Sequence, residues 1–557
     1  MVRPVRVMMR AVALALACAA VTIGAGASSA SDVERSILEA ALPPFAIGPD
    51  QPAGRLAAGT QVMRRAHALG LSFDGVLALT RSAETEMARL RAIGTEPGRL
   101  SFFGGGRLSD LAALVAPDTR IVVTAPALIV DAPLRVEAPG VAIEFGGARL
   151  IAAAPGPAAD RPEAAIQVRA EGVALSGGVF VGVEAVLVRD SRSVAIRDMR
   201  ILDAPGYGVV VGPSNVDVLV AHNRVERAAA SGVAVMERSR NVLVEHNEIS
   251  DGRGGSNQHA AILVTDRRLY DRIGGPDFLL ERDMRYPAER VHHGVKSDPI
   301  LNRTPPRPVY VVGNTMRGNH SSGLYLDGAA NALVRGNRIA DNGKEGICLD
   351  NGATANIVTA NDVSGNGRRS DVSDREMALD FIAQFGRMAD GTPKAKVPAI
   401  SIDNAVFNAV LANRIAGNHG SGVKMVRTAF FNLVGRNAIE GNNLGANDVH
   451  FFFGVEIGGA RADGPVPDLD FLPSAGNIVY GNEITGGHYS GIQFCSDCEP
   501  NDVFDNMIVR PQHWAIEQNK RDGRNVFTNN FSLAPSRNAN LNGSFGRVLI
   551  GGEGRFD

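Results

Sequence analysis

The chain has 557 residues, 63 of them glycine, with 5% aromatic residues, four cysteines and a net charge of −2. A charge so close to zero gives no basic surface for nucleic acid. Length alone does not count domains where a chain is built from repeats.

Residues 1–30 read as a secretory signal. Arg3, Arg6 and Arg10 start it, Ala11–Ile23 is apolar, and Ser28-Ser29-Ala30 offers small residues for cleavage. The apolar run is too short to span a bilayer. No second long apolar run follows, so the mature protein is expected to be periplasmic or secreted and to have no membrane partner. Residues 31–100 differ in character: 32–42, 53–69 and 74–93 carry Ala, Leu and Met at helical spacing. This segment is expected to pack beside or below the rest. Residues 101–118 contain a short helix, Leu108–Val115, placed to cap a stack of strands whose first edge would otherwise be open.

From Thr119 to Leu533, strands of three to five apolar-alternating residues are separated by turns of Gly, Asn and Asp. One phrase recurs. Asn223 and Asn247 are 24 apart, Asn314, Asn337 and Asn361 are 23 and 24 apart, and Asn413 and Asn437 are 24 apart. Asn482, Asn506 and Asn529 continue the series at 24 and 23. A fixed period in the low twenties with this turn chemistry predicts a parallel β-helix, each coil stacking on the last. Asn tolerates the left-handed turn, and stacked amides bond each other up the column, so the asparagines read as structural. Insertions interrupt the coils near 266–307, 368–398 and 458–474, the second carrying an amphipathic helix with Ser373 and Glu376 as a capping box. They are expected to wall one groove. Residues 534–557 form a C-terminal tail. Cys495 and Cys498 are expected to form a local disulfide, because no second cysteine pair exists to complete a zinc site.

These repeats resemble the right-handed parallel β-helix proteins of the pectate-lyase-like superfamily. The resemblance covers about Thr119–Leu533 and implies an all-β fold, a right-handed parallel β-helix solenoid with an N-terminal helical segment and cap. It implies no single activity, since polysaccharide lyases, glycoside hydrolases, uronan epimerases, tailspikes and non-enzymatic periplasmic proteins share it. The Asp-Pro-His signature of alginate epimerases is absent, as is the tandem-Asp and Gly-His-Gly set of polygalacturonases.

Within the Gly-apolar-x-apolar strands, Leu324 and Leu326, Ile347 and Leu349, Ile400 and Ile402, and Val423 and Met425 point inward. The residues between them point out, in a column of Tyr325, Cys348, Ser401, Lys424, Glu456, Gln493 and Glu517. Two places further stand Asp327, Asp350 and Asp403. Rungs about 4.8 Å apart would crowd these carboxylates, and a bound cation is one way to offset the repulsion. A further row precedes the same strands: His320, Lys344, His419, His488 and His513, a candidate cleft edge of imidazoles poised near neutral pH.

Three readings remain open. In β-elimination or epimerisation on a uronic-acid polymer, Lys424 or His419 is the base and Tyr325 the acid. Asp327, Asp350 and Asp403 then cradle Ca²⁺, and His320, Lys344, Glu456, Gln493 and His488 hold an acidic polysaccharide. In glycoside hydrolysis Asp350 and Asp403 form the carboxylate pair. In the third, the solenoid binds or assembles polysaccharide without catalysis. One Trp and seven Tyr favour that reading mildly, as a poor inventory for sugar stacking.

Overall fold

The computed structural model describes residues 73–94, 98–153, 164–236, 238–254, 259–265, 308–350, 352–368, 397–403, 405–426, 429–442, 453–458, 474, 476–494, 498, 501–518 and 525–533, and the backbone of 539–540 and 545–550. The signal segment, the helices expected at 32–42 and 53–69, and the capping-box helix near 368–398 lie outside these residues.

Three short strands make a coil. The coil containing Asn314 has a first strand Val309–Val312, a second Thr315–Arg317 and a third Leu324–Asp327. Every pairing between coils is parallel; first and second rows belong to a 27-stranded sheet, and third-row strands form a 14-stranded sheet of their own. Inward side chains of all three rows merge into one core of Val, Ile and Leu. Many third strands start at a glycine, for a steric reason, and Ala261, Ala399 and Ala515 stand at the same position in others. A Cβ on Gly422 or Gly491 would come within 2.5 Å of the Ile439 or Ile508 methyl of the second row. At those glycines a side chain would push the second row away.

The asparagine column is one of three, one to each corner. Between first and second strands it runs through Asn223, Asn247, Asn314, Asn337, Asn361, Asn413, Asn437, Asn482, Asn506 and Asn530. Each Oδ1 accepts the backbone N–H and the Nδ2–H of the preceding asparagine, at 2.9 and 3.0 Å for Asn314 on Asn337. Each Nδ2 also donates to a backbone carbonyl, so no amide hydrogen is left unpaired in the core. The last member is Asn530, not Asn529: Asn529 takes the left-handed turn position and is exposed. Between second and third strands Asn319, Asn342, Asn366, Asn418 and Asn442 form a second ladder. From third strand back to first, Asn356, Asn408, Asn432, Asn477, Asn501 and Asn525 form the last.

The solenoid is longer than its repeats suggest. Arg99–Phe103 already pairs in parallel with Thr119–Val123, ahead of the expected start at 119. Phe545–Ile550 pairs with Val526–Leu533, inside the stretch expected to be a tail. The expected cap is a 3₁₀ helix, Ser109–Leu114, with Leu111 buried in the first coils.

Helix α1, Phe73–Arg91, lies beside the solenoid, along the outer face of the first row. Val76, Leu79, Ala83, Met87 and Leu90 recur at helical spacing and bury against Ala195, Leu219, Leu243, Tyr310 and Leu333. Charge fixes its position: Arg89 meets Asp217 at 2.6 Å, Arg91 meets Glu245 at 2.8 Å, and Glu84 meets Arg335 at 2.8 Å. Arg197 donates to the carbonyls of Arg91 and Ile93, at the negative end of the helix dipole. Among the described residues no helix is long and apolar enough to cross a membrane.

Candidate functional site

The outer face of the third row is the candidate site. The interrupting segments attach on its two borders. Segments 266–307 and 459–473 leave the ends of third-row strands Ile262–Thr265 and Phe453–Ile457. Segments 369–396 and 443–452 lead into the starts of Ile400–Asp403 and Phe453–Ile457. Beyond their attachment points these segments lie outside the described residues.

The outward column stands in register. Tyr325 pairs with Cys348, Cys348 with Ser401, Ser401 with Lys424, Lys424 with Glu456, Glu456 with Gln493, and Gln493 with Glu517. Its first half is apolar and covered: Leu263, Tyr325 and Cys348 pack with Val210 and Ala234 in a cluster outside the main core. Tyr325 is 1% exposed and donates its hydroxyl to Asp350 Oδ2 at 3.0 Å. A phenol so buried is a strut for Asp350, which corrects the expectation of a solvent-facing acid.

The second half is polar. Lys424 Nζ lies 2.9 Å from Glu456 Oε1, and Ser421 donates to Glu456 Oε2 at 3.0 Å. Glu456 is only 5% exposed, so both its oxygens are satisfied from within the same face. Ser490 repeats the contact on Glu517 at 2.6 Å, and Ser322 on Glu345 at 2.9 Å. These serines were missed in the sequence, although the signal is there: Ser322, Ser421 and Ser490 each stand immediately before the glycine that opens a third strand.

Asp327 and Asp350 are paired neighbours, and the preceding rung contributes Thr265, whose hydroxyl donates to Asp327 Oδ2 at 3.2 Å. Asp403 follows on the next coil and is buried, as is Asp327. Among the described residues no three acidic, histidine or cysteine side chains converge on one point. With Asp327 and Asp350 each accepting a hydroxyl of their own, the three do not fit the Ca²⁺ cradle expected of them.

The expected row of basic side chains divides. His320 and His419 each directly follow a ladder asparagine, Asn319 and Asn418. Lys344 is two residues after Asn342 and half-buried. His488 turns inward: its Nε2 is 3.4 Å from Asn442 Nδ2, and burial lowers its pKa to about 4. It is a core residue, which corrects its assignment as a substrate contact. His513 stacks on Tyr489, with ring centroids 4.7 Å apart. Half-buried His419 is held below the ordinary imidazole range by burial and then by Arg368, against an opposing pull from Asp341. The shift favours its neutral form, at the corner leading into the strand that carries Lys424. Cys498 is buried with its sulfur 3.1 Å from the Ile457 carbonyl; its expected partner Cys495 lies outside the described residues.

This architecture defines the class: the chain is a right-handed parallel β-helix protein. Residues 307–462 match the family model described as right handed beta helix region. No curated protein sequence matches the chain. Among solved structures it is similar to the catalytic unit of a GH87 alpha-1,3-glucanase from Streptomyces thermodiastaticus, at 12% identity and TM-score 0.41, over 82% of this chain and 68% of that one. It is similar to PfbA, a surface adhesin of Streptococcus pneumoniae, at 12% identity and TM-score 0.43, over 78% of this chain and 92% of that one. A mutant of the periplasmic alginate epimerase AlgG matches at 13% identity and TM-score 0.38, over 70% of this chain and 76% of that one. Residue roles do not transfer at such identity.

Proposed function

We propose that this protein is an exported enzyme that abstracts the C5 proton of a uronic-acid residue in an acidic polysaccharide, as a lyase or an epimerase. The observation that carries the reading is the pair Lys424–Glu456: a cation held on an outward polysaccharide-length face by a nearly buried carboxylate. A uronate C5–H is weakly acidic because the adjacent carboxylate is already an anion. A fixed ammonium at that carboxylate stabilises the enediolate that forms when the proton leaves. Glu456 holds Lys424 in place by a 2.9 Å ion pair, so Lys424 is assigned as the neutraliser and not the base.

His419 then takes the proton. Its neutral form is favoured by burial, and it enters the same strand as Lys424. The C5–H electrons move to the carboxylate carbon as the enediolate, and on elimination return to form the C4–C5 double bond. The C4–O bond breaks, and the leaving oxygen takes a proton from the imidazolium. Epimerisation shares the first step and replaces elimination with protonation of C5 from the other face. No step is routed through Ca²⁺.

Testing requires the mature chain from Ser31 with a panel of acidic and neutral polysaccharides, following ultraviolet absorbance, reducing ends and deuterium uptake at C5. Absorbance rising with reducing ends supports the lyase, and C5 deuterium without new ends supports the epimerase. Reducing ends alone transfer the chemistry to a hydrolytic pair such as Asp350 and Asp403. Silence in all three leaves a binding or assembly protein.

A further inference from the structure

The chain's single tryptophan stands on the candidate face. Trp514 opens the third-row strand Trp514–Gln518 and pairs with Ser490, while three places on Glu517 pairs with Gln493. Its ring lies edge-on to His513, with centroids 5.1 Å apart at 77°. His513 in turn stacks nearly parallel on Tyr489, at 4.7 Å and 21°. Tyr489 is backed by buried Phe453, edge-on at 6.3 Å. Backbone bonds from Gln512 to the His488 carbonyl and from His513 to the Tyr489 carbonyl, 2.8 and 2.7 Å, fix the two rungs to each other. Tyr489, His513 and Trp514 are all half-buried, so each packs one side on the solenoid and keeps another toward solvent.

We infer that Tyr489, His513 and Trp514 form a sugar-stacking subsite for an uncharged pyranose ring of the polysaccharide. This rests on the reading of the third-row face as a polysaccharide groove. Rigid aromatic faces beside a few polar groups are what a pyranose needs: the rings cover its C–H face, and amide and carboxylate groups accept its hydroxyls. Half-buried Glu517, on the same strand as Trp514, supplies such an acceptor. Charge decides which sugar is held. Glu517 stands on the same strand as Trp514, and its carboxylate disfavours a uronate there. Lys424 lies three rungs away, about 14 Å at the spacing of parallel strands. A uronate at Lys424 and an uncharged ring at Trp514 together require a heteropolysaccharide with both sugar types a few units apart.

Because Trp514 is the only tryptophan, its fluorescence reports this subsite alone. The full mature chain is titrated with gluco-, manno- and galacto-oligosaccharides and with oligouronates. A saturable change with at least one neutral series, weakened about tenfold or more in Tyr489→Ala, is expected. Tyr489→Ala keeps the reporter, and calorimetry on Trp514→Ala gives a second measure of the same loss. A change with oligouronates alone overturns the uncharged-ring assignment. No change with any polysaccharide that the protein demonstrably turns over overturns the subsite and leaves the C5 chemistry standing. A neutral-sugar response in a protein that never yields unsaturated ends or C5 deuterium keeps the subsite and removes the lyase–epimerase reading beneath it.

Discussion

The ladder that begins at Asn319 ends where Asn442 meets His488, an amide nitrogen against an imidazole Nε2 at 3.4 Å. A titratable ring thus terminates a column that is otherwise uncharged, in a site from which water is excluded.

That junction predicts acid sensitivity. Above pH 6.5 His488 is neutral folded or unfolded. Between 6.5 and about 4 the unfolded chain binds a proton that the folded chain refuses, so stability falls as pH falls through this window. His259, lowered to about 4 by burial and by Lys344, adds to the same loss. Each is expected to remove about 3 kcal/mol by pH 4. Urea titrations at pH 7 and pH 4.5 check this, and His488→Asn should remove about half of the difference, the His259 share remaining.

Removing one amide from the interior of a ladder should be costly. Asn361→Ala takes the acceptor from the backbone and side-chain N–H of Asn337, and a donor from the carbonyl of Val334. The expected loss is about 3 kcal/mol, from buried groups left unpaired. Denaturation midpoints for Asn361→Ala and for the end member Asn530→Ala should differ, with the end member milder.

Lys424→Ala leaves the Glu456 carboxylate buried beside Ser421 alone, and roughly 3 kcal/mol of stability should go with it. The double change Lys424→Met with Glu456→Gln should recover much of that stability and none of the turnover. A variant pair in which both quantities recover would show that the ion pair serves the fold only.

His419 must be neutral to accept a proton, and its pKa lies below the ordinary 6.5. Turnover is therefore expected to fall as acid protonates the ring, with a midpoint below that of an ordinary imidazole. A kcat/KM profile over pH 4–8 measures the midpoint, and His419→Gln should abolish turnover without moving the melting temperature by more than a few degrees.

The register of the third row was legible because its grammar is strict. A glycine that cannot carry a Cβ, followed by apolar-x-apolar, fixes which residues face out, and Tyr325, Lys424, Glu456 and Gln493 align as that grammar requires. His488 departs from the basic row although its corner has the same length as those of His320 and His419. Gly487 stands where Asn319 and Asn418 stand in their corners, so the ladder has no asparagine there and the His488 ring takes up the Asn442 amide in its place. Burial was also illegible. Alternation says that Tyr325 and Asp403 point away from the solenoid axis, but exposure depends on neighbours brought in from distant sequence. Two of the three ladders were missed for a simpler reason: Asn342, Asn366 and Asn418 sit among other turn residues, so their spacing does not stand out without the pairing.

A stack in which each repeat touches only its neighbours melts like a zipper, with an end free to fray while the middle holds. Helix α1 changes that connectivity. Through Arg197, Asp217, Glu245, Tyr310 and Arg335 one rigid rod grips five successive first-row strands, so none of those rungs can open without loosening a partner several rungs away. The solenoid is in this region a two-dimensional object. Hydrogen exchange should find those five rungs opening as one unit, and Leu90→Ala, at about 2–5 kcal/mol, should split that unit into its separate coils.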